Sequence, residues 1–520
     1  MQQKHTIKVL PSEASQHDLL KELLAKVCAV RTEQISGFDI LKKSIDARGS
    51  KIWVNLTLNV FIDEPYTIAE LLPLSYKSLS LSAKKVLIVG AGPAGLFAAL
   101  RLIELGIQPI VLERGKDVRS RRRDLAAINK EGVMNPESNY CFGEGGAGTY
   151  SDGKLYTRSN KRGDINRILN IFVHFGAARQ ILYEAHPHIG TNKLPQIITA
   201  MREKIIACGG SVLFDKKVTD FLVKDNRITG VQTADGERLE GDAVILATGH
   251  SARDIFHLLH EKKIAIEAKP FALGVRVEHP QELIDSIQYH CPTRGAFLPP
   301  ASYSLVQQVN NKGVFSFCMC PGGIIAPAAT DTNEIVVNGW SPSKRNNPFA
   351  NSGMVVSIEE KDYQHYKKHG ALAALYFQQE TEQKSFKAGG GDLVAPAQRL
   401  VDFTQNKVST KLPDCSYLPG IRSTDLREAL PPFVHQSLQT AFNAFGNKMK
   451  GYLTNEALVV ATESRTSSPV RIPRDPHTLE HPQLNRFYPC GEGAGYAGGI
   501  VSAAMDGERV ANRLADVLTS

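Results

Sequence analysis

The chain has 520 residues, of which 42% are hydrophobic and 22% charged, and its formal net charge is +8. These values are ordinary for a globular protein of two or three domains. The longest apolar stretch, residues 86–100, contains three glycines and is too short to span a bilayer, which excludes a membrane-spanning protein. The polar N-terminus is no signal peptide and the eight cysteines form no CxxC pair, so we expect reduced thiols and a cytoplasmic protein.

Residues 1–80 are predicted to form a small α/β domain of the ferredoxin-like kind. Residues 4–10 and 53–62 are typical of strands, residues 17–30 of an amphipathic helix, and residues 38–48 of a further short element. Basic and acidic residues nearly balance in this domain, which weakens an RNA-binding interpretation. The following segment, 73–83, is typical of a linker.

Residues 85–115 follow the order strand, glycine turn, helix, strand and acid, which is the order that holds an adenine dinucleotide. The turn reads Gly90-Ala91-Gly92-Pro93-Ala94-Gly95. Gly90 makes the tight turn, Gly92 lets a pyrophosphate approach the backbone, and Gly95 lets the helix pack closely on the sheet. Pro93 suits a first helical turn, whose free N–H groups and dipole favour the pyrophosphate.

Glu113 follows the second strand, 23 residues after Gly90. Its carboxylate can accept hydrogen bonds from both hydroxyls of an adenosine ribose and would repel a 2′-phosphate. The sequence therefore favours FAD or NAD over NADP. The alternative for the glycine motif alone is a plain glycine-rich turn.

A basic cluster follows this acid directly and has three interpretations. It is predicted as a solvated loop, as phosphate neutralisation in which Arg121 or Arg123 reaches back to the dinucleotide, or as an RNA patch, which no interleaved aromatic residues support. Arg114 and Arg121 are the predicted cofactor contacts. The cluster consists of Arg114, Lys116, Arg119, Arg121, Arg122 and Arg123.

Residues 191–208 are typical of a helix with Thr191 as its N-cap. Residues 211–249 predict a strand, a three-stranded meander with turns at 225–226 and 235–236, and a final buried strand. This strand ends at Thr248 and Gly249, where the chain is predicted to turn beside the dinucleotide and contact the cofactor. Residues 250–465 have short strands, proline-glycine turns and one charged helix near 359–382, which indicates an inserted, largely antiparallel domain. The tail returns to strand, glycine turn and helix.

That tail distinguishes FAD from NAD. FAD carries a ribitol chain and a flavin ring beyond its pyrophosphate, so it needs contacts from distant parts of the sequence. The tail contains Pro489-Cys490-Gly491-Glu492-Gly493 and then Gly498-Gly499-Ile500 at the start of a helix. Glu492 is predicted to bind the ribitol and phosphate end, and the helix dipole to stabilise an anion at the pyrimidine edge of the flavin.

The dinucleotide unit at 85–115, the meander and final strand at 211–250, and the tail at 486–515 together resemble the glutathione-reductase-like FAD superfamily, and most closely its p-hydroxybenzoate-hydroxylase-like branch. Over almost the whole chain the sequence also resembles the FAD-utilising dehydrogenase family, on the motifs SIDAR, FGEGGAGTYSDGKL, HPHIGTNKL, CPGG, SRTSSPVRIPRD and CGEGAGYAGGI. The resemblance implies a doubly wound α/β fold, an FAD cofactor and no particular substrate. It also implies that the backbone of Val218 meets adenine.

The glycine run within the motif FGEGGAGTYSDGKL is predicted to approach the flavin ring or ribitol. The alternative interpretation is a flexible loop. Its members are Gly145, Gly146, Ala147, Gly148 and Thr149.

Several side chains are candidates for chemistry, each with a structural alternative. Cys318 and Cys320 are predicted to share one strand face, as a redox pair, half a metal site or plain core. Cys141 and Cys490 precede glycine turns and are expected to be small buried side chains, and without a CxxxxC motif a disulfide-reductase reaction is not expected. The remaining candidates are His186 and His188 as substrate ligands or an acid and base, Arg465, Arg471 and Arg474 as anion ligands, and Tyr496 against the flavin ring.

The resulting hypothesis is an FAD-dependent oxidoreductase that transfers hydride between flavin N5 and a small organic substrate. The predicted domains are 1–80, the FAD-binding parts 81–250 and 466–520, and the inserted substrate domain 251–465. With no second glycine motif, NADH or NADPH would visit the flavin face transiently as reductant. The alternatives are a tRNA-modifying flavoprotein, with nucleic acid as a partner, and a non-enzymatic flavin-binding redox sensor.

Overall fold

The computed structural model describes residues 1–157 and 163–519. Within residues 1–80, all of which are described, a three-stranded antiparallel sheet packs on one α-helix through alternating inward side chains such as Leu56 and Leu58. The elements are β1 (Gln2–Val9), α1 (His17–Cys28), β2 (Ile35–Asp46) and β3 (Trp53–Ile62). The predicted strands and helix are confirmed. β2 is longer than the short element expected, and the sheet, ordered β1-β3-β2, is simpler than a four-stranded ferredoxin-like sheet.

The second region contains the predicted dinucleotide unit and the predicted meander. Its elements are β4 (Lys85–Val89), α2 (Pro93–Glu104), β5 (Gln108–Leu112), α3 (Val118–Glu131), α4 (Ile165–His174), α5 (Leu194–Ala207), β6 (Ser211–Leu213), β7 (Val218–Lys224), β8 (Arg227–Thr233), β9 (Arg238–Glu240), β10 (Ala243–Leu246) and α6 (Arg253–Glu261). The meander β7-β8-β9 is confirmed.

The third region carries most of the antiparallel structure, and the tail follows it. The elements are β11 (Glu267–Ala268), β12 (Phe271–Pro280), α7 (Gln281–Tyr289), β13 (Val306–Val309), β14 (Lys312–Cys320), β15 (Ile324–Pro327), β16 (Val337–Trp340), β17 (Phe349–Ile358), α8 (Ala373–Gly389), β18 (Ala395–Arg399), α9 (Leu400–Thr404), β19 (Ile421–Ser423), α10 (Pro432–Lys448), β20 (Leu458–Glu463), β21 (Val470–Arg471), β22 (Phe487–Pro489) and α11 (Ile500–Thr519).

Two sheets organise this α/β fold. A parallel sheet has the order β22-β10-β4-β5-β6, so β22 from the tail completes a sheet that begins near residue 85. A second sheet has the order β13-β14-β17-β12-β20-β18-β19 and is antiparallel except for the pair β18 and β19. Where the chain enters and leaves this inserted region, β11 and β21 pair with each other. The doubly wound sheet with a largely antiparallel insertion is therefore confirmed.

Two local expectations were wrong. The helix expected near 359–382 is split into 3-10 turns over Glu360–Leu372 and then α8, because Gly370 takes a left-handed φ of 56°. Thr191 does not cap α5, which begins at Leu194, and its N–H donates instead to the Ser341 carbonyl at 3.2 Å. Among the described residues we find no helix whose length and hydropathy would let it cross a bilayer.

Candidate functional site

The turns that follow β4, β10 and β22 meet at one edge of the parallel sheet. Gly90 has a φ of 109°, and a Cβ placed on it would run into the backbone of Ala247. A Cβ on Gly491 would lie 2.8 Å from the Cβ of Ala94, and one on Gly493 would lie 2.6 Å from the carbonyl carbon of Gly249. The strand order reverses between β4 and β10, and ligands of open α/β sheets bind at such a switch point.

The N-terminus of α2 faces open space at this point. Pro93 is the first helical residue, and Gly92 caps the helix without a side-chain hydrogen bond. A Cβ on Gly92 would meet no atom within 4 Å, whereas one on Gly95 would collide with the carbonyl of Gly90. Gly95 is therefore needed for packing, while Gly92 leaves room for a group bound to the helix end.

Glu113 is buried and ties three backbone segments together. Its Oε2 accepts from Ala91 N at 2.9 Å, and its Oε1 accepts from Gly115 N at 3.0 Å and Gly143 N at 2.9 Å. The residue thus fixes the turns around the predicted ribose position. β7 begins beside it, because Lys216 N donates to the Glu113 carbonyl at 2.9 Å, and Val218 follows as a buried residue.

The glycine run of residues 145–149 lies against the α2 turn. Gly145 N donates to the Ala91 carbonyl at 2.8 Å, and a Cβ on Gly146 would lie 3.2 Å from the Cα of Gly92. Gly146–Gly148, including Ala147, forms one 3-10 turn, and buried Thr149 donates to the Glu144 carbonyl at 2.7 Å. The run is hydrogen-bonded at both ends.

Glu144 is a buried carboxylate of this site that sequence reasoning missed. Its Oε2 accepts from Val118 N at 2.8 Å, and its Oε1 lies 3.1 Å from the Arg202 guanidinium. Burial raises its pKa. Its position between two glycines was the available signal, but the motif gave it no role.

Four of the six residues of the basic cluster lie on α3 and two precede it, so the loop expectation was wrong for the larger part. Asp117 caps α3 by accepting from Arg119 N at 2.8 Å and Ser120 N at 3.2 Å. Arg121 is fully buried and donates to the carbonyls of Asn139, Tyr140 and Glu144 at 2.8, 3.0 and 2.9 Å. Its guanidinium therefore holds the loop before the glycine run. The residues of the cluster that stay exposed are Arg119, Arg122 and Arg123.

Arg114 also makes protein contacts. Its guanidinium pairs with Glu137 at 2.6 Å and with Asp254 at 2.8 Å, and it lies over the ring of Phe142 at 4.2 Å. Through these bonds, Arg114 joins the turn after β5 to α6.

The tail turn is held by residues on both sides of it. Asp506 of α11 accepts from Gly491 N at 2.8 Å and pairs with Arg474 at 2.6 Å. Arg474 also lies 3.7 Å from the Tyr496 ring centroid, so these two candidates contact each other. Asp506 was missed because nothing in a helix of mixed composition distinguishes one inward acid.

Glu492 of the tail turn lies close to the turn that follows β10. Its Oε1 is 3.4 Å from Nδ1 of His250, the residue after Thr248 and Gly249, and Gly249 has a φ of 74°. Cys490, just before the turn, is completely buried, and burial raises the pKa of its thiol well above the ordinary value. Cys141 contacts the Ala328 carbonyl at 3.5 Å, so both thiols pack against protein.

The start of α11 opens onto a cavity of about 560 Å³. Cβ atoms on Gly498 or Gly499 would meet nothing within 4 Å, and Ile500 then packs near Gly148. The walls come from β12, β14, β17 and the segment after β20, and they include Phe271, Phe315, Phe317, Ile358, Thr466 and Gly498. The cavity thus lies between the inserted sheet and the C-terminal glycine segment.

The two candidate histidines, His186 and His188, have different surroundings. His186 stacks edge-on with Tyr156 at 5.0 Å between ring centroids. His188 is partly buried close to Arg345, and burial lowers its pKa to about 4, which favours the neutral imidazole at pH 7. Among the described residues its Nε2 has no hydrogen-bond partner.

Arg465 belongs to a buried ionic cluster. It pairs with Glu334 at 3.1 Å and with Glu382 at 3.0 Å, and Arg253 pairs with the same two carboxylates at 2.8 and 2.6 Å. Its charge is fully compensated by protein. Arg471 lies 5.6 Å from the Tyr496 ring.

Models of known families match four parts of the chain. Residues 270–466 match the C-terminal domain of FAD-dependent proteins, and residues 83–135 match an FAD binding domain. Residues 197–308 match glucose inhibited division protein A, and residues 1–61 match a domain of unknown function.

Similar proteins include an uncharacterised protein of Clostridium beijerinckii, which is 39% identical over 515 residues and covers 96% of each chain. The thiamine thiazole synthase of Aeropyrum pernix is 26% identical over 193 residues, 34% of this chain and 59% of that protein. Among solved structures, a geranylgeranyl bacteriochlorophyll reductase-like protein of Thermoplasma acidophilum has a TM-score of 0.36 at 11% identity, over 84% of this chain and 79% of that one. A flavin-dependent brominase has a TM-score of 0.36 at 12% identity, over 84% and 80%.

Proposed function

The chain belongs to the FAD-utilising family that its motifs indicate, and on that premise we propose that it is an oxidoreductase that transfers hydride between FAD and a small organic substrate. The observation that carries the proposal is the convergence of three glycine turns, from residues about 400 apart, at the switch point of one parallel sheet.

The residues around this convergence fit FAD. The open helix end at Gly92 suits a pyrophosphate, and Glu113 lies where the ribose acid of this motif is expected. The space beside Gly498 and Gly499, next to a second helix N-terminus, suits the far end of the cofactor. When bound, FAD would supply a hydride acceptor or donor at N5.

The substrate is proposed to enter the cavity beside Gly498. Phe271, Phe315 and Phe317 give it an apolar wall, and hydroxyl residues such as Ser467 give it a few polar groups. A cavity of about 560 Å³ has the volume of a small-molecule site. The cavity favours a compact organic substrate with an apolar part, and NADH or NADPH would reach the same face only transiently.

The first experiment is a visible spectrum of the purified full-length protein, before and after incubation with excess FAD. We expect flavin absorption bands that stay with the protein through gel filtration. NADH, NADPH and pooled metabolites are then tested for bleaching of these bands. A preparation that binds no FAD under any of these conditions would contradict the proposal.

A substitution separates cofactor binding from folding. Gly92→Val places its side chain in open space, so the apo-protein should fold normally, whereas a bound pyrophosphate would clash with it. We expect at least about tenfold weaker FAD binding, equivalent to about 1.4 kcal/mol. Gly49→Val is the matched control, because a Cβ there would also meet only one atom at 4.0 Å, in the N-terminal region.

A further inference from the structure

Two cysteines of β14 come together at a break in the strand. The pairing of β14 with β17 shifts between Phe317 and Cys320, and Cys318 takes a φ of 47°. The thiol of Cys320 donates to the Cys318 carbonyl oxygen at 3.2 Å, and the two thiol side chains lie next to each other. The bulge therefore removes the regular strand spacing that would hold these sulfurs apart.

Two cations face the sulfur pair. The Nζ of Lys154 lies 4.0 Å from Cys318 Sγ and 3.9 Å from Cys320 Sγ, and it hydrogen-bonds the Met319 carbonyl. The guanidinium of Arg276 lies 3.6 Å from Cys320 Sγ and donates to the Cys318 carbonyl at 2.7 Å. Positive charge at this distance favours a thiolate over a thiol.

The acids around the pair are engaged by these same cations and their neighbours. Asp152 lies 3.6 Å from Lys154 and 3.0 Å from Arg345, and Glu463 pairs with Arg276 at 2.6 Å. Each carboxylate is therefore paired with a cation, which reduces its repulsion of a thiolate.

The two thiols differ in environment. Cys320 is buried, whereas Cys318 is partly exposed and follows Phe317 of the cavity wall. The neighbouring Cys320 thiol, together with the positive charges of Lys154 and Arg276, lowers the pKa of Cys318 to about 5. Burial raises the pKa of Cys320 well above its ordinary value. Cys318 thus has the more acidic thiol of the two, and Cys320 is the one that holds its proton more tightly.

We propose that Cys318 and Cys320 form a reversible oxidation site for peroxides, in which Lys154 positions the reactive sulfur. The Cys318 thiolate attacks a peroxide oxygen, the O–O bond breaks, and protonation of the leaving oxygen gives water and a sulfenic acid on Cys318. The Cys320 sulfur, losing its proton, then displaces the hydroxyl as water and forms the disulfide. In sum, two thiols and one hydrogen peroxide give one disulfide and two waters.

The arrangement favours this chemistry over half a metal site. Throughout residues 1–157 and 163–519, no three His, Cys, Asp or Glu side chains are grouped so that they could hold a metal ion. Lys154 and Arg276 lie within 4.0 Å of the sulfurs, and their positive charges repel a metal ion.

The experiment treats the full-length protein, with and without added FAD, with hydrogen peroxide, blocks remaining thiols with N-ethylmaleimide and maps the peptides. We expect a Cys318–Cys320 disulfide that dithiothreitol reverses, formed before any other cysteine is oxidised. In Cys320→Ser, dimedone should label Cys318 as a trapped sulfenic acid. Oxidation that begins at other cysteines while both of these stay reduced would overturn the proposal.

A second measurement uses the unmodified chain and so does not depend on any variant folding. The rate of iodoacetamide alkylation is followed against pH at Cys318 and at Cys28, a partly exposed cysteine of α1 whose pKa is raised by burial. We expect the rate at Cys318 to reach half its maximum at least about two pH units lower. Coincident profiles would refute the thiolate.

Lys154→Met tests the positioning role. Loss of the ammonium should move the Cys318 alkylation profile toward that of Cys28, and Lys154→Arg should restore part of the difference. A purely structural role of Lys154 would leave the profile unchanged in any variant that folds. None of these outcomes depends on flavin binding, so they are separate from the tests of Gly92.

Discussion

At the scale of single residues, Glu113 has a larger structural role than the ribose contact expected of it. Its two oxygens accept three backbone N–H bonds from segments that belong to separate turns. Charge-assisted bonds of this kind are stronger than neutral ones. The carboxylate therefore shapes the cofactor turn before any ligand arrives.

We expect Glu113→Gln to destabilise the protein by about 1–3 kcal/mol and to weaken FAD binding, because the new amide must point its NH₂ at a backbone donor. Urea unfolding of the apo-protein and an FAD titration measure the two effects. Glu137→Gln, which removes a half-exposed partner of Arg114, is the control and should change stability by less than about 1 kcal/mol. An unchanged urea midpoint in Glu113→Gln would refute this account.

The sequence predicted residues whose role depends on local backbone geometry, and it failed for those whose role depends on packing. Gly90 and Gly95 follow from spacing alone, because the strand-turn-helix unit is contiguous. Arg121 was expected to reach phosphate, but the face of α3 that turns inward is decided by the loop at 139–144. Asp506 contacts a turn that lies 15 residues earlier, and no local sequence motif predicts such a contact.

At the scale of elements, too, the features set by local sequence were predicted, and those set by contacts between distant residues were not. The meander was predicted in full, because its turns fall at Asp225-Asn226 and Asp235-Gly236, where left-handed backbone is accepted. The charged helix was misplaced because the backbone leaves helical geometry at Tyr363 and again at Gly370. The position of the inserted sheet over the C-terminal glycine segment could not be predicted, because it depends on contacts between distant strands.

Strand β12 carries a buried carboxyl group that makes stability depend on pH. Glu278 is 2% exposed, accepts from Ser416 N at 2.8 Å, and has its pKa raised to about 7 by burial. A carboxyl pKa raised by folding stabilises the protein below the unfolded-state pKa, and this contribution is lost as the pH rises through the folded-state value. The loss should therefore occur between about pH 4.5 and pH 7.

We expect Glu278 to lower the free energy of unfolding by up to about 3 kcal/mol between these limits, and Glu278→Gln to remove that part of the dependence. Urea unfolding of the apo-protein at several pH values measures it. Glu282→Gln, at an exposed position four residues further on, is the matched control and should keep the dependence of the unmodified chain. Parallel pH curves for Glu278→Gln and the unmodified protein would contradict the prediction.

At the scale of the whole molecule, the parallel sheet joins the beginning and the end of the chain. β10 has β4 on one side and β22 on the other, although β22 follows it by some 240 residues. A ligand held by turns after all three strands would link these parts. Its binding should therefore stabilise the fold as a whole.

We expect FAD at about 100 times its dissociation constant to stabilise the folded protein by about 2.7 kcal/mol. Thermal or urea unfolding, followed at once by tryptophan fluorescence and by circular dichroism, should show a higher midpoint with FAD in both signals. Gly92→Val should lose this increase, whereas Gly49→Val should keep it. A rise of equal size in Gly92→Val would mean that FAD binds elsewhere.

The late arrival of β22 also has a consequence for biosynthesis. Residues 251–486 must leave the ribosome before the strand that completes the parallel sheet is available. At about 5–20 residues per second, this delay is on the order of tens of seconds. A nascent chain would thus carry an unfinished sheet edge for that time, and a product truncated before residue 487 would lack both the last strand and the tail glycines. Cofactor insertion would then be confined to chains whose translation has ended.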